Sequence, residues 1–180
     1  MLELAVLGLL KEQSMHGYEL KKRLNLKLGH FWQVSFGSLY PALNKLERQG
    51  AVERAYPKGE ARRSKNVYRI TAAGERLFAE LLEASGPHDL EQDRFALRLA
   101  FFSYLRPEAR IHQLEGRRGY LQMKLADFRA SIKNSRERMD AYTEQLLAHG
   151  LDEREREIKW LDELIAAERG AGLPKARPAE

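Results

Sequence analysis

The sequence predicts a mainly α-helical chain in two parts, a small head that contains a β-hairpin and a longer helical body. Apolar residues recur at helical spacing through most of the 180 residues. That period gives way to strand-like runs only between residues 51 and 70, around the turn-forming Pro57-Lys58-Gly59-Glu60. Charge divides the same way. Residues 1–74 hold 13 Lys/Arg against 6 Asp/Glu, whereas residues 75–180 hold 18 against 20. The head would attract a polyanion, and the near-neutral body must have another task.

Leu2 to Glu12 reads as a first helix, apolar over most of its circumference through Leu4, Val6, Leu7, Leu9 and Leu10, as buried helices are. Ser14 is expected to cap a second helix from Met15 to Leu28. Tyr18, Leu20, Leu24 and Leu28 would face inward, and Lys21, Lys22, Arg23 and Lys27 outward. A turn over residues 30–34 leads to Ser35, placed to cap a third helix that Gly50 stops. Leu39, Leu43 and Leu46 share its inner face. Ser38, Tyr40, Asn44, Lys45 and Arg48 take the other, and these are the donors and cations that meet phosphates and base edges. Pro41 has no N–H for the carbonyl of Gly37, so either the helix kinks or its regular part starts near Tyr40.

Residues 51–56 and 65–70 are strand candidates, and the tip between them carries Lys58, Arg62, Arg63 and Lys65. Thr71 is expected to cap a fourth helix, Ala72 to about Ala84, with Gly74 at the third position in place of a capping-box carboxylate. Three helices, a hairpin with a cationic tip and a further helix follow the order of a winged helix-turn-helix domain. In such a domain one helix enters the major groove and the wing meets phosphates or the minor groove. The fold class expected is therefore mainly α: an N-terminal winged helix-turn-helix domain with a two-stranded wing, then a helical dimerisation domain.

Three stretches carry a more specific signal. HGYEL at His16–Leu20, GSLYPALNKLERQG at Gly37–Gly50, and YRIT followed by AAGE, ending at Glu75, closely resemble motifs of the PadR family of transcriptional regulators, in the family's order and spacing. The resemblance covers about the first 80 residues. It implies a homodimeric winged-helix repressor with Tyr40 and its helix neighbours at the DNA and the hairpin along the backbone. The remaining length resembles the larger-bodied PadR subgroup, whose C-terminal region is helical and dimerising. Within the HGYEL stretch, His16 and Tyr18 are read as structural.

The polar, acidic run from Gly86 to Asp93 marks the expected boundary, giving a head of residues 1–85, a body of 86–169 and a disordered tail of 170–180. Arg94 to Tyr104 reads as a short apolar helix. Its Phe95, Phe101, Phe102 and Tyr104 have two readings, an inter-domain core or the lining of an effector pocket. From Pro107, suited to a first helical turn, the sequence leaves two readings: one long helix to about Ala148, or a helix broken near its start at Gly116, Gly119 and the Arg117-Arg118 pair. Leu121, Leu125, Phe128, Ile132, Met139, Tyr142 and Leu146 form a heptad-like, coiled-coil stripe for which a second copy of the chain is the natural cover. A last helix, Glu153 to Ala167, offers Trp160 either as a dimer anchor or as core.

The residues expected at DNA are Ser35, Ser38, Tyr40, Asn44, Lys45, Arg62, Arg63 and Lys65, with Ser35 and Ser38 equally suited to capping the helix. The absence of cysteine excludes disulfides and thiolate chemistry. His112 and Glu115 have a metal-compatible spacing, but one such pair is common by chance, and no metal or cofactor is expected. No phosphate loop, serine elbow or paired-carboxylate motif points to an enzyme. The apolar run Leu2 to Leu10 is too short to span a bilayer and lacks a signal-peptide pattern, so a cytoplasmic protein is expected. The partners expected are double-stranded DNA, a second copy of the chain and a small-molecule effector. The rival reading makes the body a protein-binding scaffold with no specific DNA role.

Overall fold

The computed structural model describes residues 1–29, 33–55, 66–84, 86–135 and 140–171. Two compact units emerge, Met1–Leu105 and Arg106–Glu180. The boundary expected after residue 85 falls inside the first unit. The reason is Arg98, almost fully buried, which donates to the backbone carbonyls of Leu81, Leu82 and Ala84. Those are the open carbonyls at the end of the fourth helix, where a cation is favoured. They tie the following segment back to the head.

In the first unit α1 (Leu2–Glu12) is the central mass, with every residue from Leu4 to Leu10 buried. It packs against α2 (Gly17–Leu28), α3 (Phe36–Arg48), α4 (Ala72–Glu83) and the middle strand of a small sheet. That sheet has three strands rather than the two expected, in the order β1 (Met15–His16), β3 (Val67–Ile70), β2 (Val52–Ala55), antiparallel throughout. Met15 pairs with Tyr68 and His16 with Val67, so the residues assigned to the start of α2 are strand, and His16 rather than Ser14 precedes the helix. β2 pairs with β3 from Val52 opposite Ile70 to Ala55 opposite Val67.

Beyond α4 come a 3-10 turn (Pro87–Leu90), α5 (Gln92–Leu99) and a second 3-10 turn (Phe102–Tyr104), in place of one helix from 94 to 104. Phe95, Phe101 and Phe102 are buried. Phe78 meets Phe101 and Tyr104 edge to face, as Phe95 meets Phe102, so these rings pack the first unit's own core.

The second unit is a helical hairpin. The stretch expected as a helix from 107 to 148 is α6 (Pro107–Ser135) and α7 (Ala141–Ala166), with α6 running through Gly116 and Gly119 and no break there. The break between α6 and α7 has a chemical cause. Asp140 caps α7 by accepting from the backbone of Tyr142 and Thr143 and from the Thr143 hydroxyl, which holds its carboxyl below the usual carboxylate range. The expected last helix from Glu153 is the second half of α7. Ion pairs run along the hairpin: Arg117–Glu157, Arg118–Asp162 and Arg129–Glu155 link α6 to α7, and Arg110 pairs with Glu168 just beyond α7.

The stripe read as one dimer seam is therefore divided. Leu121 and Leu125 are buried within the unit and Phe128 and Ile132 half-buried, while Tyr142 and Leu146 stay 90% and 69% exposed and Trp160 41%. Met139 lies outside the described residues, as do residues 172–180 of the tail.

Candidate nucleic-acid interface

The candidate groove helix is built as the leucine spacing dictates. Leu39, Leu43 and Leu46 are fully buried, each worth roughly 2 kcal/mol over exposure to water. Ser35 caps the helix by accepting from the Ser38 backbone at 3.2 Å, and the Ser38 hydroxyl donates back to the Ser35 carbonyl at 3.0 Å. Both serines are exposed but engaged with the cap. α3 runs unbroken through Pro41 from Phe36, so its regular part does not wait for Tyr40. At the other end Gly50, at φ +69°, closes a Schellman motif: its N–H donates to Glu47 and that of Ala51 to Leu46, both at 2.9 Å.

The turn into α3 is set from α2. The Asn25 side chain accepts from the Val34 N–H at 2.8 Å and donates to the Val34 carbonyl at 3.2 Å, like a neighbouring strand.

Across the exposed face, Tyr40 is 43% exposed. Asn44 accepts from Arg54 of β2 at 3.1 Å, and Arg54 also pairs with Glu47 at 2.8 Å. Lys45 pairs with Glu3 of α1 at 2.6 Å yet keeps half its side chain in water. Such an exposed pair contributes little to stability, so Lys45 can trade it for a phosphate at small cost. The structure thus brings Ser35, Ser38, Tyr40, Asn44 and Lys45 onto one helix, whereas Arg62, Arg63 and Lys65 lie outside the described residues.

Several participants escape a reading by sequence alone. Arg54 looks like an ordinary strand residue until β2 is laid beside α3. Tyr18, assigned to packing, is 64% exposed because, two positions before Leu20, it falls on the side of α2 away from the buried Leu20, Leu24 and Leu28. It stacks on Phe36 at 6.4 Å between ring centroids, and Phe36 stacks on Tyr40 at 5.9 Å. The one sequence signal for Phe36 is its i, i+4 relation to Tyr40. The basic outer face of α2 is partly neutralised, Arg23 by Glu19 and Lys27 by Glu12. His16 fulfils its structural assignment, in β1 and with Nδ1 3.4 Å from the Asn66 carbonyl oxygen. Burial raises the Tyr68 phenol above its ordinary pKa.

Among the described residues no three His, Asp or Glu side chains gather as metal ligands, and Glu115 pairs with Arg169. No helix of the described residues is long and apolar enough to cross a membrane.

Parts of the chain are similar to known proteins. Residues 6–80 match the model of the "Transcriptional regulator PadR-like family", and residues 91–168 match that of "Virulence activator alpha C-term". The chain is 25% identical to the "Negative transcriptional regulator PadR" of Bacillus subtilis, over 92% of this chain and 96% of that protein. It is 27% identical to the "Probable transcriptional regulator Rv1176c" of Mycobacterium tuberculosis, over 91% of this chain and 95% of that one. A crystal structure of Bacillus subtilis PadR in complex with operator DNA aligns with a TM-score of 0.45 at 23% identity, covering 93% of this chain and 98% of that one. The head, over residues 6–80, is thus similar to the PadR-like family of transcriptional regulators, and the helical part is similar to a separate C-terminal family.

Proposed function

We propose that this protein binds a palindromic operator as a homodimer and represses transcription from it in the cytoplasm. The observation that carries the reading is α3 itself. Three fully buried leucines lock one face to the head, and the opposite face offers Tyr40, Asn44 and Lys45 to a groove. Arg62, Arg63 and Lys65, in the segment joining β2 to β3, supply phosphate contacts. Ser35 and Ser38 lie where the helix meets the backbone.

Dimerisation is assigned to the helical unit. Tyr142, Leu146 and Trp160 are large apolar groups left in water by the single chain, and a second copy supplies cover. Two-fold symmetry then asks for a palindrome with half-sites one helical turn, or a multiple, apart. Repression is the sign favoured by the relative that is a negative regulator. An effector that binds the free dimer better than the DNA-bound one would release the operator.

The test is duplex binding as a function of salt. Affinity for a selected operator is expected to fall steeply between 50 and 200 mM salt, about 10³-fold or more if six or more phosphates are contacted. Lys45→Ala, Arg62→Ala and Arg63→Ala should each weaken binding across all sequences and lower the salt slope by about 1, with dimerisation unchanged. Three variants that bind as the parent does would remove this surface from consideration, and a chain indifferent to duplex DNA would favour the scaffold.

A further inference from the structure

We propose that Phe36 reads thymine in the operator, its ring packing on the 5-methyl group in the major groove; this rests on the DNA-binding reading above. Phe36 opens α3, and the N-terminal residues of a groove helix are those that reach base edges. Its neighbours make it more than a stray surface aromatic. Tyr18, Phe36 and Tyr40 form a continuous stack, with interplanar angles of 28° and 22°, and the three rings stay 64%, 37% and 43% exposed. The rings border an open cleft of about 300 Å³ that His16, Asn66 and Tyr68 complete.

A ring stacked with two others is a stiff apolar surface, so little conformational freedom is lost when it meets a ligand. The occupant follows from charge and place. Lys21 sets its ammonium 4.1 Å from the centroid of the Phe36 ring, and Lys45 sits on the same helix, so this is an apolar face beside cations. The surface that combines dense negative charge with isolated apolar groups is the major groove, where the thymine methyl is the apolar feature of the base edges. Tyr18 and Tyr40 can turn their hydroxyls to flanking phosphates while their rings keep Phe36 in place.

The experiment is performed on DNA first, which avoids dependence on any variant's folding. An operator is selected from random duplexes with the full-length protein, and each thymine is replaced in turn by uracil, which lacks only the methyl. Binding should weaken about fourfold at one or two positions per half-site, the worth of one buried methyl group. With Phe36→Ala that difference should vanish, while Phe36→Leu should retain part of it; circular dichroism verifies that both variants are folded. Binding by the parent that is equal for thymine and uracil at every position overturns the assignment. So does a methyl effect that survives undiminished in Phe36→Ala. Failure to select any sequence would instead sink the DNA-binding reading, and this inference with it.

Discussion

Asn25 shows how much one polar side chain can decide. Its amide gives the chain a partner for both the N–H and the C=O of Val34, a residue buried just before the cap of α3. Asn25→Ala should leave both groups unmatched and lower stability by about 1–3 kcal/mol, measured by urea unfolding. A variant as stable as the parent would show that the turn needs no such support. From the sequence Asn25 is one more polar residue on the outer side of an amphipathic helix, because its partner is backbone nine positions away. Arg54 and Arg98 are hidden for the same reason. Arg54 becomes part of the candidate interface only when β2 lies against α3, and Arg98, a charge expected in water, is buried where α4 needs acceptors satisfied. By contrast Ser35 and Thr71 were legible as caps, since a cap and its target lie within three residues.

At the scale of elements, whatever rests on local periodicity or local punctuation was readable. α1 keeps the bounds its leucines mark, α3 ends at Gly50 through a backbone turn that glycine favours, and α4 starts after Thr71. Features that need two distant segments to meet were not. β1 is two residues long and exists through pairing with β3, so no alternation reveals it. The stripe through α6 and α7 keeps a helical phase across residues 136–140, which disguises a hairpin as one long helix. Asp140 with Thr143 three residues on was the available sign of a new helix start. Gly74 shows the same dependence on distant contacts. A Cβ there would lie 2.0 Å from the Ala51 carbonyl oxygen, the same oxygen that accepts from the Thr71 N–H at 3.1 Å. α4 is thus drawn against the base of the wing as closely as backbone allows. Gly74→Ala should force the two apart and cost roughly 2–3 kcal/mol, seen as a lowered unfolding midpoint. An unchanged midpoint would mean that α4 can move away freely.

For the whole molecule, the division of labour follows the division of charge. The basic excess sits in the first 74 residues, and the helical unit, tied by ion pairs between its own helices, leaves Tyr142, Leu146 and Trp160 exposed. A single groove helix contacts too few bases to select one site in a chromosome, whereas two held by a common body multiply their discrimination. Pairing of two heads is therefore the central claim, and hydroxyl-radical footprinting of the full-length protein on its selected duplex tests it most directly. Two protected patches related by two-fold symmetry, with centres about 10 base pairs or a multiple apart, are the predicted result. One patch alone, or even cleavage along the whole duplex, would contradict it.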